Sequence, residues 1–243
     1  MEAKSQLSVS ANPVIIVTHN LSSVSMSEPT KSNLNNARFL TVEGVEGVGK
    51  TTNITFISAW LEEQGVPYIH TREPGGTPLA EELRSLLLAP RDEQVDATAE
   101  LLMMFAARAQ HIEQVIKPAL AKGIWVLCDR FTDATYAYQG GGRNMGFDKI
   151  QQLESFVQGD FRPDAVILLD LPVAVGLARA AKRGALDRFE QEAEGFFHRV
   201  RDAYLNRAKE NPSRYWLVDA EQSLELVQVQ ISNALQKILA DQV

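Results

Sequence analysis

Short apolar runs alternate along the chain with longer stretches in which apolar residues recur every three or four positions. A short apolar run bounded by turn residues is typical of a buried strand, and the three-to-four spacing is typical of one face of a helix. Strands that alternate with helices in this way predict βαβ units on a parallel sheet, and hence the α/β class. The predicted strands cover 38–43, 67–71, 124–129, 165–170 and 214–219.

The stretches between these strands predict helices with recognisable ends. Asp96 is a predicted N-cap, and Pro118 should kink or end the helix that begins there, because proline lacks a backbone N–H. In chain order, the predicted helices are a stripe of Ile54, Ile57 and Leu61 ended by Gly65, a stripe of Leu79, Leu83, Leu86 and Leu87 ended by Pro90, a long helix from Asp96 to about Lys117, and two stretches around 196–204 and 224–235.

The first 37 residues differ in composition from the rest of the chain. Serine, asparagine and proline are frequent there, and only 14–17 is apolar enough to pack. We therefore expect a flexible N-terminal extension over 1–37 and a single domain over 38–243.

Composition limits the classes of function. Of the 243 residues, 45% are hydrophobic and 23% are charged, and the net charge is -7. This balance argues against a wide nucleic-acid interface, which needs clustered lysine and arginine. Cys128 is the only cysteine, so an intramolecular disulfide and a site with several cysteine ligands are excluded. Neither a membrane span nor a secretory signal is predicted, and a cytoplasmic location is expected.

The stretch VEGVEGVGKTT lies between the first predicted strand and the first predicted helix, and it contains the pattern G-x-x-x-x-G-K-[ST]. In such a loop, backbone N–H groups point at phosphate oxygens, Lys50 reaches the β- and γ-phosphates, and the Thr51 hydroxyl ligates Mg²⁺. The competing interpretation is a glycine-rich turn without a ligand. The predicted nucleotide-binding residues are Gly44, Val45, Glu46, Gly47, Val48, Gly49, Lys50, Thr51 and Thr52.

Two arginines at strand ends suggest a second anion site. Arg72 in TREPGG follows the second predicted strand, and Asp129 and Arg130 end the third. Open α/β sheets bind ligands at this edge, so Arg72 could pair with an acceptor phosphate, while Asp129 could orient Mg²⁺ and Arg130 neutralise charge. Each arginine could instead form an ordinary surface ion pair.

A base-binding pocket and a lid are further hypotheses. Phe105 and Arg108 share a helix face, and Thr135 and Gln139 precede a glycine run that we expect to be mobile. Core packing and an unliganded loop are the competing interpretations. The stretch ARAAKRGALDR, within 178–190, predicts a helix ending near Gly184, either as a solvated basic helix end or as a lid that brings guanidinium groups over the phosphates.

Together these motifs resemble the thymidylate kinases, which are P-loop nucleoside monophosphate kinases. EGVEGVGKTT, TREPGGT, FAARAQH, DRFTDATYAYQGGGR and the lid-like RAAKRGALDR occur in the family's order. The resemblance implies a three-layer P-loop NTPase fold with a five-stranded parallel sheet and a lid. It also implies that ATP phosphorylates dTMP to dTDP, with Mg²⁺, in a homodimer.

The same resemblance implies roles for individual residues. Arg72 matches the ligand of the dTMP phosphate, Phe105 the ring that stacks on thymine, Arg108 the arginine that reads the base, and Arg130 the arginine near the phosphates. Glu46 matches the carboxylate facing the sugar 3′-hydroxyl, and Thr135 and Gln139 complete the pocket. Because the loop contains no arginine, the chain resembles the bacterial subgroup with a catalytic lid arginine. Arg183 is the first candidate, with Arg179 and Arg188 as alternates.

Two other functions share parts of this pattern. A kinase for dUMP, a deoxynucleoside or a non-nucleotide acceptor would use the same loop, and would differ in acceptor preference. A nucleotide-dependent switch would hydrolyse ATP or GTP without an acceptor, which leaves Arg72, Phe105 and Arg108 without a role.

Overall fold

The computed structural model describes residues 37–183, 188–189 and 191–240. Five parallel strands form one sheet in the order β2-β3-β1-β4-β5. Each strand agrees with its predicted run to within one residue at each end. The strands are β1 Phe39–Glu43, β2 Tyr68–Arg72, β3 Trp125–Asp129, β4 Ala165–Asp170 and β5 Tyr215–Asp219. The predicted extension, apart from residue 37, lies outside the described residues.

Helices cover the sheet. They are α1 Lys50–Glu63, α2 Pro78–Leu88, α3 Ala97–His111, α4 Thr132–Thr135, α5 Phe147–Gln158, α6 Val173–Ala180, α7 Glu194–Glu210 and α8 Leu224–Ala240. Three helices continue in a different geometry: α3 through a π-helical turn Ile112–Ile116 and then Lys117–Leu120, α4 through the π-helical Tyr136–Gly142, and α6 through the 3₁₀ turn Ala181–Arg183. Within the described ranges, no helix has the combination of length and apolar character that crossing a membrane requires.

The three central strands β3, β1 and β4 are buried on both faces, as is usual in parallel sheets. Leu40 and Leu127 belong to the core that includes the α1 stripe. Phe39 and Cys128 belong to a second cluster with Ile112. The predicted stripe of α1 is therefore confirmed, because Ile54, Ile57 and Leu61 are all buried.

The predicted stripe of α2 faces the core only in part. Leu87 is buried, whereas Leu79 and Leu86 are 50% and 51% exposed. The N-cap of α3 is confirmed, since an Asp96 carboxylate oxygen accepts from the backbone N–H groups of Thr98 and Ala99 at 2.8 and 3.2 Å. Helical structure nevertheless continues past Pro118, which falls in the first turn of the segment Lys117–Leu120. The π-helical turn Ile112–Ile116 lies directly before it, and such a turn is one of the irregularities found where the regular hydrogen-bond pattern of a helix is broken.

The glycine run expected to be mobile is helical and packed. Gly140 and Gly142 are buried in the π-helical segment. A Cβ atom on Gly142 would lie 2.4 Å from the Phe196 ring, and one on Gly141 would lie 2.7 Å from the carbonyl oxygen of Arg199. These glycines allow the backbone to lie directly against α7, which explains the departure from the predicted loop.

Candidate active site

The phosphate loop connects β1 to α1. Gly44, Gly47 and Gly49 have positive φ angles of 142°, 75° and 87°, which glycine adopts with little strain. A Cβ atom on Gly47 would lie 1.9 Å from the carbonyl oxygen of Gly176 in α6. The loop therefore packs against α6 at a distance that excludes any larger residue.

Lys50 begins α1, and its side chain folds back over the loop. Its Nζ donates to the carbonyl oxygens of Gly44 and Val45, both at 3.1 Å. Burial, followed by the positive charge of Arg130, lowers the pKa of Lys50, and the nearby carboxylate of Glu46 opposes this effect. An anion bound at the loop would further favour the charged form of this lysine.

Arg130 extends from the end of β3 to the phosphate loop. Its Nη1 donates to the carbonyl oxygen of Gly44 and to Tyr204 Oη, each at 3.1 Å, and its Nη2 pairs with Glu46 Oε1 at 2.5 Å. The Tyr138 hydroxyl donates to the same Glu46 oxygen at 2.8 Å, and the Tyr138 ring centroid lies 4.7 Å from the guanidinium carbon. Several contacts thus fix both Arg130 and Glu46.

A partly open cleft lies beside the phosphate loop, and its empty space, open solvent included, is about 550 Å³. Its wall includes Glu46 and Arg130 next to the loop, and the predicted acceptor residues Arg108, Thr135 and Gln139. The other lining residues are Glu73, Pro74, Arg84, Leu88, Met104, Phe131, Ala134, Tyr138 and Phe189.

Arg108 on α3 is 2% exposed, and neighbouring polar groups fix its orientation. Its Nε pairs with Glu73 Oε2 at 2.7 Å, and its Nη2 donates to Thr135 Oγ1 at 2.9 Å and to the carbonyl oxygen of Phe131 at 3.2 Å. Its Nη1 is buried and has no hydrogen-bond partner within the described part of the chain. Buried donors are normally satisfied, so a spare donor on an arginine that lines a cleft indicates a ligand acceptor.

Phe105 does not line the cleft, which corrects its predicted role in stacking on a base. It is 2% exposed and packs with Tyr136 and Ile150. The shared face with Arg108 exists, but the guanidinium of Arg108 itself lies 4.9 Å from the Phe105 ring centroid. The protein's own cation therefore takes the place predicted for the base, and the neighbouring Met104 lines the cleft instead.

Arg72 and Arg84 lie close together beside the cis peptide bond between Glu73 and Pro74. Arg72 Nη2 donates to Glu81 Oε2 at 2.8 Å, and its Nε is buried without a partner among the described residues. Arg84 lines the cleft and donates to the carbonyl oxygen of Pro74 at 2.9 Å. Burial, followed by the positive charge of Arg72, lowers the pKa of Arg84. An anion bound here would relieve this repulsion. Arg84 was not predicted from the sequence.

The alternate lid arginines are engaged away from the phosphate loop. Arg179 Nη1 donates to the carbonyl oxygen of Ala220 at 3.1 Å. Arg188 Nη2 pairs with Glu100 Oε2 at 2.5 Å. The side chain of Arg183, the first candidate for the catalytic arginine, lies outside the described part of the structure, as does most of 184–190.

Glu100 joins one end of the cleft to the predicted lid segment. Its carboxylate is fully buried and accepts from Gln139 Nε2 at 2.8 Å, and from Arg143 and Arg188. Phe189, next to Arg188, forms part of the cleft wall. A residue of the predicted lid therefore shapes the cleft.

Thr51 and Asp129, the predicted metal ligands, line a second cavity, which lies between α1 and β2 and reaches the end of β3. Asp129 Oδ1 is buried there and has no hydrogen-bond partner among the residues that the structure describes. A buried carboxylate oxygen without a partner is costly, so this site favours a cation or its water ligands.

Comparison with known proteins names the family. The family model for thymidylate kinase matches residues 42–231. The thymidylate kinase of Pseudomonas putida (strain W619) is 62% identical over 201 residues, which cover 83% of this chain and 97% of that protein. The thymidylate kinase of Pseudomonas syringae pv. tomato is 61% identical, with 83% and 96% covered. This chain belongs to the thymidylate kinase family.

A solved thymidylate kinase supports the same assignment. The crystal structure of thymidylate kinase from Ehrlichia chaffeensis is 34% identical, covers 83% of this chain and 99% of that one, and superposes with a TM-score of 0.65. The predicted family, the kinase activity and the α/β P-loop fold with a five-stranded parallel sheet are therefore confirmed.

Glu43 is a feature of this thymidylate kinase site that the sequence analysis missed. It ends β1 directly before the phosphate loop and is fully buried. Its Oε1 accepts the backbone N–H of Phe131 at 2.7 Å, and its Oε2 accepts the Tyr204 hydroxyl at 2.8 Å. Burial, followed by the negative charge of Asp133, raises the pKa of Glu43 to about 8. The available signal in the sequence was a charged residue at the end of a mainly apolar strand.

Proposed function

We infer that this chain transfers the γ-phosphoryl group of ATP to dTMP, producing dTDP and ADP for dTTP synthesis. The observation that supports this function best is that the phosphate loop and the acceptor cleft meet at Glu46 and Arg130. A triphosphate on the loop and a monophosphate in the cleft would face each other across Arg130. Membership of the thymidylate kinase family identifies the acceptor.

The donor triphosphate is assigned to residues 44–52. Lys50 would exchange its two carbonyl contacts for phosphate oxygens, which are stronger partners for an ammonium group because they are charged. The N-terminus of α1 adds backbone N–H groups and the positive end of the helix dipole.

We assign Mg²⁺ to the edge formed by Thr51 and Asp129. The unpaired Asp129 oxygen fits a hard cation, which prefers oxygen ligands. Across the described residues, no cluster of three or more His, Cys, Asp and Glu side chains could hold a metal alone. Most ligands would then come from water and phosphates, which suits Mg²⁺. When bound, the ion neutralises charge on the β- and γ-phosphates.

The acceptor nucleotide is assigned to the cleft. The spare Nη1 donor of Arg108 suits a carbonyl oxygen of the base, with Thr135 and Gln139 beside it. Met104 offers an apolar surface for the base, in place of Phe105. We assign Glu46, which lines the cleft, to the 3′-hydroxyl of the sugar. For the phosphate we propose Arg72, together with Arg84 and Arg130.

Phosphoryl transfer in this arrangement requires positioning and charge and no strong base, because the attacking phosphate is already anionic. Lys50 and Arg130 converge on the transferred group from the loop and from β3. Arg183 is the proposed third cation, because Arg179 and Arg188 are held by contacts elsewhere. The lid over 178–190 would bring Arg183 over the phosphates.

We further propose a homodimer in the cytoplasm. Leu86 of α2 and Leu102 of α3 are each 51% exposed, so the paired helices present an apolar surface. This surface is a better candidate for the contact than 106–112, where His111 and Ile112 are buried. Leu102→Lys should give a monomer by light scattering, whereas an unchanged mass would exclude this face.

A coupled assay with ATP and Mg²⁺ tests the function directly. Stoichiometric dTDP is expected with dTMP. The thymine methyl group contributes about 1 to 3 kcal/mol of preference over dUMP. Lys50→Ala should lower turnover by about 10²-fold, and replacement of the exposed Lys122 by alanine serves as the matched control. Equal rates for the two variants, or ATP hydrolysis without need of an acceptor, would refute the assignment.

A further inference from the structure

Two hydrogen bonds accepted by Glu43 help to hold Arg130 in place. The N–H that Glu43 Oε1 accepts belongs to Phe131, which directly follows Arg130. Arg130 itself has a φ of 68°, a left-handed conformation that is uncommon outside glycine. The carboxylate therefore anchors the backbone at the point where this turn needs support.

The second contact reaches the guanidinium of Arg130 through one hydroxyl group. Arg130 Nη1 donates to Tyr204 Oη at 3.1 Å, and the Tyr204 hydroxyl donates to Glu43 Oε2 at 2.8 Å. Tyr204 is 1% exposed on α7, so water does not compete for this chain of hydrogen bonds. Glu43 thus holds both the backbone and the side chain of Arg130.

We propose that Glu43 is a positioning residue for phosphoryl transfer, which holds Arg130 against the phosphate loop through Phe131 N–H and the Tyr204 hydroxyl. The proposal rests on the proposed function, in which Arg130 contacts the transferred group. A buried carboxylate is costly, and an apolar residue of similar size would often be as stable there. The free-energy cost of burying the Glu43 carboxylate is explained if this carboxylate orients Arg130.

Ionised Glu43 fits this geometry better than the protonated acid. The ionised carboxylate accepts both hydrogen bonds, whereas a proton on Oε2 would point at Tyr204 Oη and compete with Arg130. The groups that face Glu43 are the cations Arg130 and Lys50, the carboxylate Asp133, the phenols Tyr204 and Tyr215, and the thiol Cys128. Since its pKa is raised to about 8, Glu43 should hold Arg130 fully above this pH and less well below it.

The test compares Glu43→Gln, Tyr204→Phe and the double variant in the full chain. Each single variant should lower kcat by about tenfold, as loss of a supporting contact typically does, while KM for ATP and dTMP stays within about twofold. The double variant should be no slower than the slower single variant, because both changes break one chain of contacts. Between about pH 6 and about pH 9.5, the wild-type kcat should rise through pH 8, and Glu43→Gln should lose this rise.

Tyr136→Phe is the matched control, because it also removes a buried tyrosine–glutamate hydrogen bond, of 2.6 Å to Glu154, and Tyr136 lines neither of the two cavities described above. It should leave kcat and its pH profile unchanged. Provided that the wild-type protein makes dTDP, a Glu43→Gln variant with the wild-type kcat and pH profile overturns the proposal. Additive losses of kcat in the double variant overturn it as well. If Glu43→Gln does not fold, Tyr204→Phe decides, and a kcat equal to that of Tyr136→Phe overturns the proposal. Absence of dTDP from wild-type protein would instead overturn the proposed function.

Discussion

Replacing Gly47 by alanine should damage the phosphate loop, whereas the same change at Gly65 should not. Both residues are left-handed, with φ of 75° and 67°, so alanine costs each of them about 1 to 2 kcal/mol of conformational strain. They differ in space: a Cβ at Gly47 would lie 1.9 Å from the carbonyl oxygen of Gly176, whereas a Cβ at Gly65 meets nothing within 4 Å.

The size of the effect of Gly47→Ala follows from how far the phosphate loop and α6 must move apart. Since real Cβ atoms stay at least 3.0 Å from other heavy atoms, the loop and α6 must separate by about 1 Å. Such overpacking adds about 1 to 3 kcal/mol of destabilisation, and a misplacement of about 1 Å can cost about 10²-fold in rate.

We therefore expect kcat/KM for ATP to fall about 10²-fold in Gly47→Ala and to stay near wild type in Gly65→Ala. Urea unfolding should show a loss of about 1 to 2 kcal/mol for Gly65→Ala and a larger loss for Gly47→Ala. Equal kcat/KM values for the two variants would refute the idea that contact with α6 sets the shape of the loop.

Four further substitutions separate the roles assigned to the cleft and its surroundings. Met104→Ala should raise KM for dTMP in steady-state assays with little loss of stability, whereas Phe105→Ala should cost about 3 to 5 kcal/mol in unfolding free energy, because it leaves a cavity in the core. Arg72→Gln should weaken dTMP binding measured by calorimetry by about 10- to 100-fold, as expected for a charge-assisted contact, and leave ATP binding unchanged. Arg188→Gln should lower thermal stability, because Arg188 pairs with Glu100. It should also raise KM for dTMP more than it lowers kcat. A kcat loss of about 10²-fold or more with unchanged KM would instead support a catalytic role for Arg188.

The strands and the phosphate loop could be predicted because their signals are local. A parallel strand buried on both faces appears in the sequence as a continuous apolar run, and the loop has a fixed pattern of glycine and lysine. Lys50 and Arg130 could be proposed as site residues for the same reason, since each stands in a short motif that follows a strand.

The parts that were missed depend on partners distant in sequence. Helix α5 was not predicted because two of its three buried side chains, Glu154 and Gln158, are polar. Each accepts a hydrogen bond, from Tyr136 and Thr132 respectively, and these pairings are invisible in the local pattern. Likewise, Met104 and Phe105 are adjacent on α3. Only tertiary packing determines that Met104 lines the cleft while Phe105 lies in the core.

The placement of Cys128 gives the chain a built-in reporter. It is the only cysteine, lies fully buried in the central region of the sheet, and donates from Sγ to the carbonyl oxygen of Arg130 at 3.0 Å. Burial raises the pKa of this thiol well above its usual value, so alkylating reagents, which need the thiolate, can react only after the strand opens. The rate of Cys128 alkylation therefore reports how often β3 opens, and no engineered label is needed. Added nucleotides that stabilise this edge of the sheet should slow the alkylation.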